Sequence, residues 1–380
     1  EYKKDYVNNT NYNEADYNNE ADAMPATGAK NGIKLEQLRG LEYDDPMWES
    51  LLDEMSVAEM NTLIELGGYE TSAVESIGKV MTYDCDGPAS INNNFTHQGS
   101  IGFPAAVMIA CTWNKDIAHR FGASIGRMAN DMDVSGWYAP ATNTHRSAFA
   151  GRNFEYYSED GVLAGWMCAN AVQGAREWGV YSYVKHFATN DQETNRTGLL
   201  CTWLNEQSLR EIYLKSFEIA FKNGNPGATM VAFNNIGIEP AEACSALLNT
   251  VLRGEWGFRG FAETDYFGGY GYQDADRMIR NGCDLMLATY STPESTVTDQ
   301  TSATSLNAMR TASKNILYTV VNSRAYDKAV NTGLPTWVKI LYGVDVLLIA
   351  CIGFLEYRAI KTYMAKKKET DPVVETQTQE

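Results

Sequence analysis

Short apolar runs alternate with amphipathic helical segments over about 280 residues of this chain, and this alternation restricts the possible folds more than any other feature. Runs typical of buried strands lie at 79–83, 136–139, 180–184, 229–233, 261–264 and 284–287. Helical patterns lie at about 159–177, 206–222, 243–253 and 305–322. Strands that alternate with helices are typical of a parallel sheet covered by helices. The pattern therefore predicts an α/β fold, a single (β/α)8 TIM-like barrel over residues 46–325.

The first helix of the predicted barrel has a recognisable start. Ser56 is followed three residues later by Glu59, which is the spacing of a capping box and predicts a helix through about Leu66. A second apolar run, 106–111, precedes another helical pattern at about 115–132.

The segments outside the barrel differ in composition. Residues 1–45 are rich in Asn, Tyr and acidic side chains and lack steady apolar periodicity, so we predict a linker or surface wrap. The chain begins at Glu1 without Met or a signal-peptide pattern, and we therefore expect a fragment or a processed product. Residues 326–336 are predicted to be a second linker.

The tail predicts a membrane anchor. Residues 337–357 are mostly apolar, have aromatic residues at both ends, and are long enough to span a hydrocarbon core of ~30 Å. Asp345 near mid-span costs roughly 2.5–3.5 kcal/mol on insertion scales, which the apolar run after it offsets. Basic residues follow, so we predict a single-pass helix in the cell membrane, an extracytoplasmic barrel and a cytoplasmic tail at 358–380. The alternative is a buried core helix.

Composition excludes several classes of function. The net charge of −17 argues against nucleic-acid binding, which needs a basic face. The seven cysteines form no CxxC pair, and with four histidines no zinc spacing occurs, so we predict reduced thiols and no metal site. The glycine-rich stretch 268–271 lacks the Lys-Ser/Thr of a phosphate-binding loop. No cofactor is predicted.

Five polar residues mark a predicted site: Asp86, Arg152, Lys185, His186 and Asp265. Each lies at, or just after, the carboxyl end of a predicted strand, and in barrels of this type chemistry occurs at that rim. Two carboxylates, two cations and an imidazole suit a neutral polyhydroxylated ligand, because each hydroxyl group is both a donor and an acceptor.

The same residues also have purely structural explanations. Asp86 could cap a turn, Arg152 could brace its loop through Glu155 or Glu159, the Lys185-His186 pair could bind a barrel carboxylate, Asp265 could cap a helix, and Tyr266 could pack in the core.

Four motifs carry a resemblance to a known family. DGP (86–88), GRNFEYYSED (151–160), KHFATNDQE (185–193) and LRGEWGFRGFAETDY (252–266) resemble glycoside hydrolase family 3, in the order of its barrel domain. The resemblance covers about 45–325 and is to β-glucosidase-like members. Among these, the chain most resembles bacterial proteins with permuted domain order, in which the second domain precedes the barrel.

The resemblance implies roles for the site residues. Asp265 matches the nucleophile that forms a covalent glycosyl-enzyme with retention of configuration. Asp86, Arg152, Lys185 and His186 match the residues that hold the non-reducing terminal sugar. Tyr266 stands where an aromatic residue packs on that sugar, and Phe233 stands where many members have a Tyr near the nucleophile.

The acid/base catalyst is the part that the resemblance leaves open. Most members take this Glu from a second domain, so we expect a missing domain of the same enzyme to supply it. The β-N-acetylhexosaminidase branch uses a His on a Gly-rich loop, which this sequence lacks after Phe187. Glu263 shares a strand face with Asp265 but would point beneath it, where we expect a buried partner for Lys185.

These expectations define one principal function and three alternatives. The principal one is a retaining, exo-acting β-glucosidase whose substrate is a β-glucoside or oligosaccharide. The alternatives are a β-xylosidase of the same family, a non-catalytic sugar-binding barrel and a cytosolic structural barrel. The sequence leaves glucose versus xylose and linkage preference open.

Overall fold

The computed structural model of the protein describes residues 12–93, 95–268, 270–327 and 336–370. The chain divides into two compact units, Glu1–Val330 and Asn331–Glu380. The first unit contains the barrel, and the second contains a long helix.

The elements alternate along the first unit much as the sequence predicts. The α-helices are α1 (Met47–Leu52), α2 (Val57–Glu65), α3 (Ala106–Ala110), α4 (Lys115–Asp131), α5 (Gly161–Arg176), α6 (Glu206–Ser208), α7 (Lys215–Gly224), α8 (Ala275–Arg280) and α9 (Ala303–Val321). Wider π-helical turns occur at Leu209–Tyr213 and Ala246–Glu255, and 3₁₀ turns at Glu14–Tyr17, Leu35–Leu38, Ala241–Ala243 and Arg324–Tyr326. The strands are β1 (Glu70–Thr71), β2 (Thr82–Cys85), β3 (Asn92–Asn93), β4 (Gln98–Gly99), β5 (Val134–Trp137), β6 (Tyr181–Phe187), β7 (Cys201–Thr202), β8 (Gly227–Val231), β9 (Asn235–Ile236), β10 (Glu239–Pro240), β11 (Phe261–Tyr266) and β12 (Leu285–Leu287).

The principal sheet of the described residues has seven strands in the order β1-β2-β5-β6-β8-β11-β12. From β2 onward all neighbours are parallel, with registers such as Cys85 opposite Trp137 and Tyr183 opposite Ala228. β1 is antiparallel to β2. The predicted TIM-like barrel is therefore confirmed, but the described sheet has seven strands instead of eight parallel ones, and its first strand, β1, which the sequence pattern does not predict, is antiparallel.

A hairpin explains the reversed first strand. The chain turns back between Thr71 and Thr82, whose hydroxyl groups lie 2.5 Å apart. Inside this turn the buried ammonium group of Lys79 donates to the carbonyl oxygens of Thr71 and Ser72. The backbone of Lys79 pairs with Val74 inside this turn, so the strand predicted at 79–83 begins only at Thr82.

The glycine pair before β1 closes the barrel. Gly67 N–H donates to the Met286 carbonyl oxygen at 2.8 Å, and Gly68 N–H donates to Ala288 at 3.0 Å, so the first segment lies beside the last strand. A Cβ atom on Gly67 would lie 2.7 Å from the same Met286 oxygen. Only glycine permits this approach, which puts all strand ends on one ring.

Several helix predictions need adjustment at their ends. The capping box is confirmed, because Ser56 Oγ accepts from Glu59 N–H and the Glu59 carboxylate accepts from Ser56 N–H. The apolar run 106–111 forms α3, whose side chains Ala106 and Ile109 are buried against the barrel helices. The helix predicted over 206–222 is divided into α6, a π-helical turn and α7.

The N-terminal segment lies along the barrel from residue 12 onward. Asn18 donates to Asp299, and Arg310 on α9 donates to the carbonyl oxygen of Ala26. Leu35 and Leu38 are fully buried in the core. Residues 1–11 of the predicted wrap lie outside the described residues.

The described part of the second unit is one helix, α10 (Thr336–Thr370), and its stretch Val338–Lys367 is long and apolar enough to cross a membrane. Its apolar side chains are exposed, Ile349 by 69%. The helix is longer than the predicted span of 337–357 and continues through the basic residues of the predicted tail. Most of the predicted linker 326–336, and residues 371–380, lie outside the described residues.

Candidate active site

The carboxyl ends of the parallel strands hold the predicted site residues. Asp86 follows β2, Lys185 and His186 end β6, and Asp265 and Tyr266 end β11. Arg152 comes from the loop between β5 and α5. Because parallel strands end at the same rim, these side chains meet around one cavity of about 200 Å³. Its lining is Tyr69, Asp86, Tyr138, Arg152, Lys185, His186, Arg196, Met230, Asp265, Tyr266 and Leu287.

Asp86 and Lys185 form an ion pair across the cavity. Lys185 Nζ donates to Asp86 Oδ1 at 2.9 Å, and the same oxygen accepts from Gly87 N–H at 2.8 Å. Burial acts to raise the pKa of Asp86, but the attraction of Lys185 and these hydrogen bonds outweigh it, and the pKa lies below its ordinary value. The Asp86 side chain remains 43% exposed, so this carboxylate both caps its turn and faces the cavity.

Asp265 is buried at the end of β11, with 9% of its surface exposed. Its Oδ1 atom accepts from Tyr266 N–H at 2.7 Å. Its Oδ2 atom lies 3.6 Å from Arg196 Nη1 and 3.8 Å from His186 Nε2. Burial raises the pKa of Asp265, and the positive charge of Arg196 is the strongest opposing influence. One oxygen is thus held by the backbone, and the other faces the cations and the imidazole.

His186 is a neutral imidazole in this site. It is fully buried, and burial together with the charges of Arg152, Lys185 and Arg196 holds its pKa well below the usual value. Its backbone N–H donates to Asn143 Oδ1 at 2.7 Å, which fixes its position on the strand. A neutral ring 3.8 Å from Asp265 is a polar neighbour and not an ion-pair partner.

Arg152 and Arg196 share one carboxylate. Arg152 Nε donates to Glu155, as the loop-brace alternative predicts, and its Nη1 atom lies 3.9 Å from Glu193 Oε1. Arg196 Nε lies 3.0 Å from Glu193 Oε2. The guanidinium group of Arg196 also stacks over the ring of Phe233, 4.8 Å from its centroid. Both cations are therefore oriented before any ligand binds.

Tyr266 lies at the mouth of the cavity. Its side chain is 39% exposed, so the alternative that it packs in the core is wrong. An exposed aromatic ring beside the carboxylate of Asp265 offers a flat apolar face to a ligand.

The prediction that Glu263 is the buried partner of Lys185 is wrong. Glu263 is fully buried beneath Asp265, but Lys185 bonds to Asp86 instead. Among the described residues neither carboxyl oxygen of Glu263 accepts a hydrogen bond, because the nearby Tyr138 hydroxyl group donates to the Gly67 carbonyl oxygen at 3.0 Å instead. Burial and the nearby Asp84 raise the pKa of Glu263 well above its ordinary value, so this side chain is a neutral acid.

Sequence reasoning missed five lining residues: Tyr69, Tyr138, Arg196, Met230 and Leu287. Arg196 lies three residues after the KHFATNDQE motif, in a loop with no periodic pattern to point it toward the site. Its proximity to a motif was the available signal. Tyr69 precedes a strand of two residues that the pattern does not reveal.

The comparisons with known proteins bear on this geometry. Residues 72–314 match the family model described as glycosyl hydrolase family 3 N terminal domain. The chain belongs to glycosyl hydrolase family 3. All four motifs of the predicted resemblance fall within the matched residues.

The curated relatives of this chain are named as β-glucosidases. β-Glucosidase A of Butyrivibrio fibrisolvens is 39% identical over 212 residues, which are 54% of this chain and 25% of the relative. Thermostable β-glucosidase B of Acetivibrio thermocellus is 34% identical over 231 residues, 57% of this chain and 30% of the relative. The chain therefore spans about a quarter to a third of the length of these relatives.

Solved structures of β-glucosidases are similar to this chain. β-Glucosidase 3B of Thermotoga neapolitana, in complex with glucose, aligns with a TM-score of 0.67 and 30% identity. The alignment covers 77% of this chain and 45% of that one. The family membership and the barrel fold predicted from the sequence are confirmed.

Proposed function

We propose that this chain is the nucleophile-bearing barrel of a retaining, exo-acting β-glucosidase. The observation that carries the proposal is the position of Asp265 Oδ2, which has no hydrogen-bond partner among the described residues and faces a cavity ringed by Lys185, Arg152 and Arg196. A cavity of about 200 Å³ suits one terminal sugar rather than the interior of a longer glycan. The β-glucosidase relatives indicate which sugar to test first.

In the proposed reaction Asp265 attacks the anomeric carbon of the bound sugar. A bond forms between Oδ2 and this carbon while the bond to the leaving-group oxygen breaks, and water later hydrolyses the glycosyl-enzyme. Asp86 and Lys185 hold hydroxyl groups of the sugar, since together they offer an acceptor and a donor. Neutral His186 can donate or accept a hydrogen bond without placing a cation on the nucleophile.

The leaving group also needs a proton from a second carboxyl group about 5–5.5 Å from the nucleophile. Glu263 lies beneath Asp265 and is fully buried, so it is badly placed for an oxygen at the cavity mouth. We assign this role to a second domain, and the greater length of the relatives supports that assignment. The barrel by itself is then expected to hydrolyse ordinary glycosides very slowly.

Covalent labelling tests the assignment without the missing acid. A 2-deoxy-2-fluoro-β-glucoside with a dinitrophenolate leaving group needs no protonation, because dinitrophenolate departs as a stable anion. Each molecule of the full chain in detergent should bind one sugar covalently, and peptide mapping should find that sugar on Asp265. Asp265→Asn should remain unlabelled. A label on any other residue, or an unlabelled wild-type chain, would contradict the proposal.

The same experiment separates the alternatives. The 2-fluoro xyloside reacting faster than the glucoside would favour the β-xylosidase, because the two sugars differ by one hydroxymethyl group. Glucose binding without labelling by either reagent would favour a sugar-binding barrel that does not catalyse.

We also propose that α10 anchors the protein in the cell membrane as a single span, with the barrel outside. The apolar length of Val338–Lys367 and the basic residues near its end support this location. The full chain should stay with membranes after washing at alkaline pH, whereas a peripheral protein is released. Release into the wash would contradict the anchor.

A further inference from the structure

A second buried carboxyl group lies behind the nucleophile. Glu242 belongs to the short turn Ala241–Ala243 and has no exposed surface. Its Oε1 atom accepts a hydrogen bond from the backbone N–H of Asp265 at 3.1 Å. The residue proposed to attack the sugar is therefore held at its backbone by another acidic side chain.

Gln273 extends this contact to the loop after β11. Its Nε2 atom lies 3.3 Å from each carboxyl oxygen of Glu242, and its Oε1 atom accepts from Gly268 N–H at 3.0 Å. Both side chains are buried. Glu242 and Gln273, which we call the Glu242–Gln273 clamp, thus hold the segment 265–268 at its first and last residues.

Burying the Glu242 carboxyl group costs free energy, which its hydrogen bonds offset only in part. The described groups that touch its carboxyl oxygens are the amide donors of Asp265 and Gln273, and neither is a cation. Burial and the charge of Asp265 raise the pKa of Glu242 well above its ordinary value. An apolar side chain at this position would avoid the cost of burying a carboxyl group, but it would leave the Asp265 N–H without its acceptor.

The clamp has a direct consequence for the reacting oxygen. Asp265 Oδ1 accepts from Tyr266 N–H, so the orientation of the carboxylate follows the backbone of residues 265 and 266. Gln273 Nε2 also lies 3.4 Å from the Tyr266 carbonyl oxygen. If this backbone shifts, Oδ2 no longer points at the cavity, and small displacements of a nucleophile reduce rates strongly.

We propose that Glu242 is a positioning residue: its carboxyl group fixes the backbone of Asp265 so that Oδ2 faces the anomeric carbon. Gln273 assists by fixing the loop that carries Tyr266. This inference rests on the proposed function, and it assigns no contact with substrate to Glu242. Its effect is expected on the rate of bond formation and not on sugar binding.

The experiment measures the labelling of Asp265 by the 2-fluoro glucoside, separating the maximal rate from the concentration that gives half of it. Glu242→Leu removes the acceptor and should lower the maximal rate about 30-fold, within a range of roughly 10 to 100. The half-saturating concentration should change less than about threefold. Glu242→Gln retains an oxygen for the Asp265 N–H and should stay within about threefold of wild type in both quantities.

Two further variants keep the test decisive. Glu239→Gln removes a charge from an exposed carboxylate of the preceding strand, paired with Arg277, and should label like wild type. Gln273→Leu keeps the carboxyl group but breaks its link to Gly268, and it should lower the maximal rate about tenfold even if Glu242→Leu does not fold.

The outcomes distinguish the two proposals. An unlabelled wild-type chain contradicts the proposed function itself. A labelled wild type together with a full rate in Glu242→Leu, or in Gln273→Leu where Glu242→Leu does not fold, overturns the positioning role. Equal losses in rate and half-saturation also overturn it, because they show a general loss of the cavity.

Discussion

Arg196 Nη1 lies 3.6 Å from Asp265 Oδ2, and within the described part of the chain neither atom has a hydrogen-bond partner. The gap is slightly too long for a hydrogen bond but short enough for a strong electrostatic attraction. An unpaired donor and an unpaired acceptor that face the same cavity can both be satisfied by one sugar hydroxyl group. The pair therefore places a positive charge beside Asp265, the proposed nucleophile.

Substitution of Arg196 should change both the rate and the pH dependence of labelling. Arg196 is the strongest influence that lowers the pKa of Asp265, which burial raises. In the proposed reaction Asp265 attacks as a carboxylate, so loss of the cation should raise the pKa of Asp265 further and move the acid limb of the rate to higher pH. In Arg196→Met we expect a rate roughly tenfold to a hundredfold lower at neutral pH.

Labelling rates between pH 4 and 8 would check this prediction. Arg210→Met is the matched control, because Arg210 pairs with Glu255 on the surface of the barrel. The control should keep the wild-type profile. An unchanged acid limb in Arg196→Met would mean that Arg196 does not act on Asp265.

Lys185 should determine sugar affinity through Asp86. Its ammonium group is 3% exposed and bonds to a carboxylate whose pKa it lowers. Lys185→Met removes a charged donor and leaves Asp86 without its partner, so glucose affinity should fall roughly 10- to 100-fold. Calorimetry with glucose would measure the loss. Lys215→Met, which breaks a surface pair with Glu218, should bind like wild type, and an equal loss there would point to misfolding.

The sequence predicts the convergence of the site because strand ends are local features. Lys185, His186 and Asp265 each stop an apolar run, and the barrel topology then places such ends on one rim. Arg196 and Glu242 are different. They enter the site from irregular segments, and their positions depend on loop paths that hydrophobic periodicity does not record.

The fold is predictable for the same reason, and it fails in the same way. Apolar runs predict the parallel strands of the principal sheet, which are β2, β5, β6, β8, β11 and β12. The reversed β1 is two residues long, and its direction follows from the hairpin that pairs Thr71 with Thr82. Glu263 shows what the pattern does not predict. The pattern places Glu263 inside the barrel, but it does not show that Lys185 pairs with Asp86 and not with Glu263.

Replacing Glu263 should stabilise the protein. Its carboxyl oxygens are buried and have no hydrogen-bond partner in the residues that the structure describes. Glu263→Met keeps the volume and removes the unsatisfied polar atoms, so the free energy of unfolding should rise by about 1–3 kcal/mol. Thermal unfolding would detect the change.

A buried carboxylate with partners provides the comparison. Glu65 accepts from Asn61 at 2.9 Å and from Thr296 at 2.8 Å. Glu65→Met should therefore destabilise the protein, because it leaves the Asn61 amide donor without its acceptor, whereas the Thr296 hydroxyl group can still donate to the Thr292 carbonyl oxygen at 2.9 Å. Destabilisation of similar size in both variants would show that Glu263 has partners of its own.

Asp84 should make stability fall as pH rises. It is fully buried inside the barrel, and burial raises its pKa to about 6 although Tyr183 and Tyr181 donate hydrogen bonds to it. The folded state therefore holds a proton that the unfolded state, with the ordinary pKa of 3.8, has released. Its contribution to stability is complete below pH 4 and is lost as pH rises through about 6.

The lost contribution is about 3 kcal/mol, since each pKa unit corresponds to about 1.4 kcal/mol. Unfolding by denaturant should be measured for wild type and Asp84→Asn between pH 4 and 7.5, and the difference between the two curves contains the effect. Asp284, whose pKa burial also raises to about 6, is present in both proteins and cancels. The charge of Lys79 also lowers the pKa of Asp84, and burial lowers the pKa of Lys79 itself to about 7. The comparison is therefore best made in the lower part of the pH range, where Lys79 stays protonated. A pH-independent difference there would mean that Asp84 is ionised in the folded barrel throughout, held by the two tyrosine hydroxyl groups and Lys79.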